Sequence, residues 1–184
     1  HRAVERYSGD GHHDRGIFSL YWFNIVHLRP GEGIFQDAGI PHAYLQGTCI
    51  ELMANSDNVL RGGLTPKHID VPELLKHISC EPVYPKIIVP DDEEEEEDGM
   101  WMRYPTPAPD FALSVPHLEE DDYLSVDTTY GPSILFLHKG IISGEREDFE
   151  LNLRHRSAFL PAGLCITFAV GDACIVYRAD VGTA

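Results

Sequence analysis

A turn signature that occurs twice constrains this chain more than any other feature. Phe35, Ala38 and Gly39 are matched by Phe159, Ala162 and Gly163 at a constant offset of 124, and Leu28-Arg29 is matched by Leu153-Arg154 one residue out of step. Around each copy, short runs of aromatic and β-branched residues alternate with glycine, proline and aspartate, the texture of antiparallel strands. Ile17 to Leu28, Gly33-Ile34-Phe35 and Pro41 to Leu45 are expected as strands. Turns separate them at Arg29-Pro30-Gly31-Glu32 and Asp37-Ala38-Gly39, where proline presets φ and glycine admits positive φ. Later strands are expected at Phe111 to Val115, Ser133 to His138, Ser157 to Leu160, Ile166 to Val170 and Ala173 to Tyr177. Repeated units of this kind imply an all-β chain of two jelly-roll barrels, which leave few strand edges open. One short helix interrupts them after the first. Asp70 caps it, Pro72 suits its first turn, Glu73 stands three residues after the cap, and Leu74, Leu75 and Ile78 supply an apolar stripe.

Charge narrows the partners. Lysine and arginine number 14 against 30 acidic residues, a net charge of −16 that repels phosphate backbones and anionic membranes. The expectation is therefore no nucleic acid and no membrane. Half of that excess sits in one run, Asp91 to Asp98, whose self-repulsion predicts a solvated loop. A calcium loop interleaves its ligands with glycine, and this run does not. Cys49, Cys80, Cys165 and Cys174 form no C-x-x-C pair and no disulfide framework. They are expected to be small buried apolar residues in a reduced, cytoplasmic setting. No apolar stretch reaches the length of a membrane span, and the first residues are too polar for a signal peptide. The chain opens on His1-Arg2-Ala3-Val4, as expected of a piece of something longer.

Most of the ten histidines stand alone. No His-x-His pair, nucleophile-elbow serine motif or phosphate-cradling glycine loop occurs. Pro41 to Lys67 is different. Period-two alternation puts His42 and Tyr44 on one face of the expected strand, and Glu51 comes in the next. Arg61-Gly62-Gly63-Leu64-Thr65-Pro66-Lys67 then carries two cations through a glycine-flexible segment. An imidazole, a phenol, a carboxylate, a guanidinium and an ammonium thus fall within 26 residues, which a surface of satisfied ion pairs explains as readily as a site. At the repeat offset of 124, His42 aligns with Ile166. The first unit therefore has a side chain able to bind metal where the second has none.

Read as a string, residues 17–80 resemble the type I phosphomannose isomerase (mannose-6-phosphate isomerase) family. The resemblance rests on Leu28-Arg29-Pro30-Gly31-Glu32, Pro41-His42-Ala43-Tyr44-Leu45 and Glu51-Leu52-Met53-Ala54-Asn55-Ser56-Asp57-Asn58. It continues through Arg61-Gly62-Gly63-Leu64-Thr65-Pro66-Lys67 and Ile69-Asp70-Val71, with Tyr7-Ser8-Gly9-Asp10 resembling the preceding segment. Residues 104–184 resemble the family's C-terminal cupin domain through Thr106-Pro107-Ala108-Pro109-Asp110-Phe111 and Phe159-Leu160-Pro161-Ala162-Gly163. The resemblance implies tandem cupin-type barrels. Residues 1–90 would be the C-terminal half of the catalytic barrel with the short helix, 91–103 an acidic linker, and 104–184 a barrel without metal. It also implies a zinc enzyme interconverting mannose 6-phosphate and fructose 6-phosphate, with His42 as a zinc ligand and Arg61 as a catalytic residue. Glu51, Tyr44 and Lys67 match other active-site positions of the family. The chemistry agrees, because isomerisation passes through an enediol whose oxygens gain negative charge, which a fixed cation such as Arg61 stabilises. Glu51 suits proton shuttling and Lys67 the substrate phosphate.

The family's remaining zinc ligands, a glutamine, a histidine and a glutamate, lie in an earlier stretch that nothing in this chain matches. Four-ligand zinc sites gain roughly 10–16 kcal/mol, so one ligand supplies about 3–4 kcal/mol, a millimolar affinity at best. The first barrel is therefore expected to be incomplete and the isolated chain inactive, with the N-terminal part of the same protein as its partner. The alternative is a non-enzymatic cupin module that binds a sugar phosphate or a protein.

Overall fold

The computed structural model describes residues 1–56, 58–91, 100–119, 121–144, 149–171 and 174–182. Of the acidic run, Asp91 lies among them and donates its amide to the Arg103 carbonyl at 2.9 Å. The solvated loop expected for the rest lies outside the described residues. The chain divides into two units: His1–Pro30, Ile34–Ile50 and Asn55–Ile87 form one, and Gly31–Gly33, Glu51–Ala54 and Ile88 onward form the other.

The first unit carries helix α1 (Arg2–Tyr7), a 3₁₀ turn (Arg15–Phe18), α2 (Ser19–Trp22) and α3 (Val71–His77). Strand is confined there to parts of β1 (Gly33–Ile34) and β2 (Ile87–Ile88), which lie at the division. Ile17 to Leu28 is therefore not the expected strand. Asp14 caps the turn, its side chain accepting from the Gly16 amide at 2.7 Å, and the chain coils on until Phe23 turns extended (φ −85°, ψ 150°). Apolar composition reports a demand for burial, whereas a strand needs a ladder partner, and a capping aspartate just ahead of the run favours a local turn instead. Phe18 and Trp22, one helical turn apart, stack with ring centroids 5.8 Å apart. Tyr21 and Trp22 remain 81% and 77% exposed, so this run does not serve as a core strand. Pro41 to Leu45 and the residues around Glu51 likewise join no ladder.

Helix α3 forms as its caps dictate. Asp70 accepts from the Glu73 amide at 3.0 Å, while the Glu73 carboxylate turns to Lys76 at 2.6 Å and His77 at 3.0 Å instead of reaching back to the cap. Those two partners, Lys76 first, hold the Glu73 carboxyl below its ordinary range. Leu74 and Ile78, four apart, share the half-buried face; Leu75 sits 100° round the helix and is exposed. Past the helix, the Ser79 amide donates to the Gly39 carbonyl at 2.8 Å. A Cβ on Gly39 would come within 2.8 Å of the His77 carbonyl oxygen, and φ there is +77°, so the turn before His42 requires glycine.

The second unit is a double-sheet antiparallel sandwich. Its strands are β3 (Trp101–Arg103), β4 (Phe111–Pro116), β5 (Tyr123–Asp127), β6 (Ser133–Lys139), β7 (Ile142–Gly144), β8 (Glu150–Leu151), β9 (Ser157–Leu160), β10 (Cys165–Val170) and β11 (Ile175–Val181). They order as β5-β10-β7-β8 and β3-β4-β11-β6-β9, the two-sheet closure of a jelly roll. Period-two alternation sends Leu124, Val126, Phe168 and Val170 inward from one sheet and Leu135, Leu137, Leu160 and Val176 from the other, into one core. Each such side chain contributes about 1.5–3 kcal/mol. The buried Trp101 indole donates to the Ser125 carbonyl at 2.8 Å. Arg178, also buried, donates to the Asp127 carbonyl at 2.7 Å and to Asp180 at 2.9 Å, and lies over the Trp101 ring. Where Ala173 to Tyr177 was expected, β11 starts two residues later at a bulge between Ile175 and Val176 and runs on to Val181.

The cysteines depart from the sequence reading. No disulfide links them, but Cys49, Cys80 and Cys165 are exposed and only Cys174 is half-buried, its thiol pushed up by burial. Cys165 occupies an outward position of β10, and Cys49 and Cys80 lie outside helices and strands, so alternation and loop placement override their apolar character. Among the described residues no helix is long and apolar enough to cross a membrane.

Candidate functional site

The Gly39 turn delivers His42. Its Nδ1 lies 2.9 Å from the Ile40 carbonyl oxygen. A carbonyl can only accept, so Nδ1 is the donor in this contact and Nε2 is the ring nitrogen left for a metal. Tyr44 meets this imidazole edge to face, with centroids 6.3 Å apart. The two side chains share a side as the period-two reading required, although the segment is not a strand.

Arg61 and Lys67 bracket a loop whose glycines serve close approach. A Cβ on Gly63 would stand 2.7 Å from Gly16 Cα, and one on Gly16 would stand 2.9 Å from the Leu64 amide nitrogen. Two backbones therefore cross where the sequence suggested mere flexibility. Asp14 pins the crossing, because the carboxylate that caps Gly16 also accepts from the Leu64 amide at 3.1 Å. Leu64 is held there at φ +51°, a conformation costly for a side chain with a Cβ. Next along, Thr65 Oγ1 accepts from the Lys67 amide at 3.1 Å. Among the described residues neither the Arg61 nor the Lys67 side chain makes a hydrogen bond or ion pair, and both are exposed. His42, Tyr44, Arg61 and Lys67 all belong to the first unit, whereas the exposed Glu51 belongs to the second.

Against this first unit the zinc requirement is only partly met. Among the described residues no three histidine, cysteine, aspartate or glutamate side chains gather into a metal-holding group. His42 offers one nitrogen donor, which by itself does not make a zinc site.

Sequence reasoning passed over a cavity of about 440 Å³ in the first unit, lined by Arg6, Tyr7, Ser8, Asp14, Thr65 and Pro66 among others. Ser8 is one of the lining residues, yet its Oγ is shut off from solvent and has no hydrogen-bond partner among the described residues. An orphaned hydroxyl of this kind costs about 1–3 kcal/mol. The available signals were Asp14 just before an apolar run, which reads as a helix cap, and Tyr7-Ser8-Gly9-Asp10, which stood out only by its resemblance.

No protein-family model matches the chain. Mannose-6-phosphate isomerase from Salmonella typhimurium is 39% identical over 165 residues, covering 88% of this chain and 39% of that protein. A zinc-bound holo structure of mannose 6-phosphate isomerase matches with a TM-score of 0.70 and 35% identity, over 92% of this chain and 42% of the other. The Salmonella typhimurium enzyme bound to its substrate and a zinc atom matches with a TM-score of 0.52 and 31% identity, over 71% of this chain and 32% of its own. The chain thus spans about two fifths of the length of the curated relative it matches.

Proposed function

Because this chain is a homologue, over most of its own length, of the mannose-6-phosphate isomerases, we propose that it is the C-terminal portion of a zinc-dependent isomerase interconverting mannose 6-phosphate and fructose 6-phosphate. The observation that carries the proposal is the His42 imidazole, whose Nδ1–H is spent on the Ile40 carbonyl at 2.9 Å, leaving Nε2 to a metal. In this reading residues 1–90 close a metal-bearing barrel, 91–103 link, and 104–184 form a barrel without metal. The partner is the polypeptide that supplies the other zinc ligands, and the 184-residue chain on its own neither retains zinc nor turns over substrate.

The residues divide the chemistry by type. The reaction moves a proton between C1 and C2 through an enediol, and negative charge gathers on two oxygens. Arg61, always protonated and unneutralised by any ion pair among the described residues, stabilises that charge. Lys67 holds the substrate phosphate as a point charge. Tyr44, beside His42, orients the sugar through its hydroxyl, and Glu51 is the proton-handling carboxylate.

The test is a coupled isomerase assay on the complete protein with Arg61→Ala beside it. Loss of an oriented cation is expected to lower kcat about 10²–10³-fold with zinc content unchanged. Undiminished turnover would remove Arg61 from the reaction. One tightly held zinc ion per 184-residue chain after dialysis, together with turnover, would overturn the dependence on a partner.

A further inference from the structure

Strand β9 ends the five-stranded sheet, paired with β6 on one side and, among the described residues, with no strand on the other. The register fixes which backbone groups that leaves open. Leu137 donates its amide to the Arg156 carbonyl at 2.7 Å, so Leu137 and Arg156 are a hydrogen-bonded pair. Antiparallel pairs alternate, which turns the backbone groups of Ala158 and Leu160 toward β6 and leaves those of Ser157 and Phe159 facing outward. Beside this open edge the sheet shows an apolar surface. Phe159 is 66% exposed and Ile134, its cross-strand neighbour, 48%. Pro161 follows Leu160 and has no N–H, so the stretch able to accept another strand is short and defined.

The turn that leads into the edge is basic. Arg154, His155 and Arg156 are consecutive and exposed, and His138 and Lys139, just past the Leu137–Arg156 pair, are exposed as well. Among the described residues Arg154, Arg156 and Lys139 form no ion pair. Arg156 Nε donates only to the Leu153 carbonyl, at 3.3 Å. Glu150, the one acidic residue between Phe149 and Leu160, accepts from Asn152 at 2.6 Å instead. A chain of net charge −16 thus gathers cations at an unpaired ladder edge. Charge on an edge strand ordinarily keeps other strands away. Cations, however, repel only their own sign, and an acidic strand is drawn to them. Acids beyond about 8–10 Å are screened at physiological salt, so the local sign decides.

We infer that β9 is a docking edge for an acidic, extended segment of another polypeptide, which joins the sheet as a further strand. Its backbone pairs with the outward N–H and C=O groups of Ser157 and Phe159, and its apolar side chains lie against Phe159 and Ile134. Its carboxylates meet Arg154 and Arg156. Backbone pairing supplies the affinity, and the cations select the partner. The edge shares no residue with the isomerase reading and does not depend on it.

The test titrates the 184-residue chain with a short blocked peptide alternating glutamate and valine, read by calorimetry and amide hydrogen exchange. Saturable binding is expected, with the Ser157 and Phe159 amides gaining protection and the affinity falling as salt rises. A lysine–valine peptide should bind at least about tenfold more weakly. So should the glutamate peptide N-methylated on alternate amides, which keeps its charge but loses its ladder donors. Replacing both arginines, Arg154→Gln with Arg156→Gln, should weaken binding about tenfold, and Phe159→Ser about fivefold. All three side chains are exposed, so the melting temperature of both variants should hold, which separates lost binding from lost folding. The inference is overturned by absence of saturable binding, by equal affinity for the lysine or the N-methylated peptide, or by full affinity in the arginine variant. Protection at the β3, β5 or β8 edge in place of β9 would also overturn it. So would protection of Ser157 and Phe159 that rises with chain concentration and needs no peptide, which would make a second copy of this chain the occupant.

Discussion

The two copies of the Phe-x-x-Ala-Gly turn behave alike locally and differ in everything around them. Gly39 sits at φ +77° and Gly163 at +86°, so each reverses the chain as its sequence requires. Gly163 is fixed from within the second unit, its amide donating to the Thr128 carbonyl at 2.8 Å, while the Thr128 hydroxyl donates to Pro161. The chain then enters β10, with Ile166 paired to Val126 in a ladder. Gly39 is fixed instead by the end of α3, and the segment after it carries His42 outside any ladder. Turn chemistry is local and needs only its own residues, whereas a strand exists only when a neighbour completes its hydrogen bonds. One copy keeps its ladder and presents Ile166 within it. The other, outside any ladder, exposes the His42 imidazole.

That contrast can be broken by mutation. The largest effect is expected in the second unit, where Arg178→Ala removes one partner of a buried pair and strips the cation from Asp180 and Trp101. It should cost about 3–5 kcal/mol in denaturant unfolding. A loss under about 1 kcal/mol would show that the unit does not depend on this charge. Next come the two glycines. Gly163→Ala meets nothing within 4 Å and bears only the penalty of positive φ, about 1–2 kcal/mol. Gly39→Ala bears that penalty and in addition drives a Cβ to 2.8 Å from the His77 oxygen. It should be worse by about 1–2 kcal/mol and should speed amide exchange at Ser79. Equal costs would mean that α3 does not hold the turn.

The smallest effect is one of pH. Burial pushes the Tyr104 phenol up to about 12 from 10.0, and its hydroxyl donates to the Gly31 carbonyl at 2.9 Å. A raised folded value favours the neutral form. The stabilisation is therefore complete below pH 10 and is lost as pH rises through about 12. Tyr104→Phe should lose about 1 kcal/mol at neutral pH and show a flatter decline of melting temperature over that window. An unchanged alkaline decline would assign the loss to another group.

The same contrast explains what the sequence disclosed. Ser157–Leu160 is strand from end to end as its alternation required, and the Ser133 and Cys165 strands run within one residue of expectation, because each pairs with a neighbour inside the unit. Asp70 caps α3 because a helix start is encoded in a few adjacent residues. Ile17 to Leu28 misled because apolar content does not distinguish an extended chain from a capped turn. Gly62-Gly63 was legible as a special place but not as a crossing, since the Gly16 backbone it meets is distant in sequence. The cavity escaped for the same reason, its walls coming from residues 6–9, 14 and 65–66.

If His42 donates Nε2 to zinc in the complete enzyme, the most direct test is the metal content of that enzyme carrying His42→Gln. It is measured after dialysis beside Ile166→Ala, the variant of the matching position in the second unit. Zinc and turnover are expected to be lost together in the first and zinc retained in the second. A fully zinc-loaded, active His42→Gln enzyme would contradict the assignment of that imidazole to the metal.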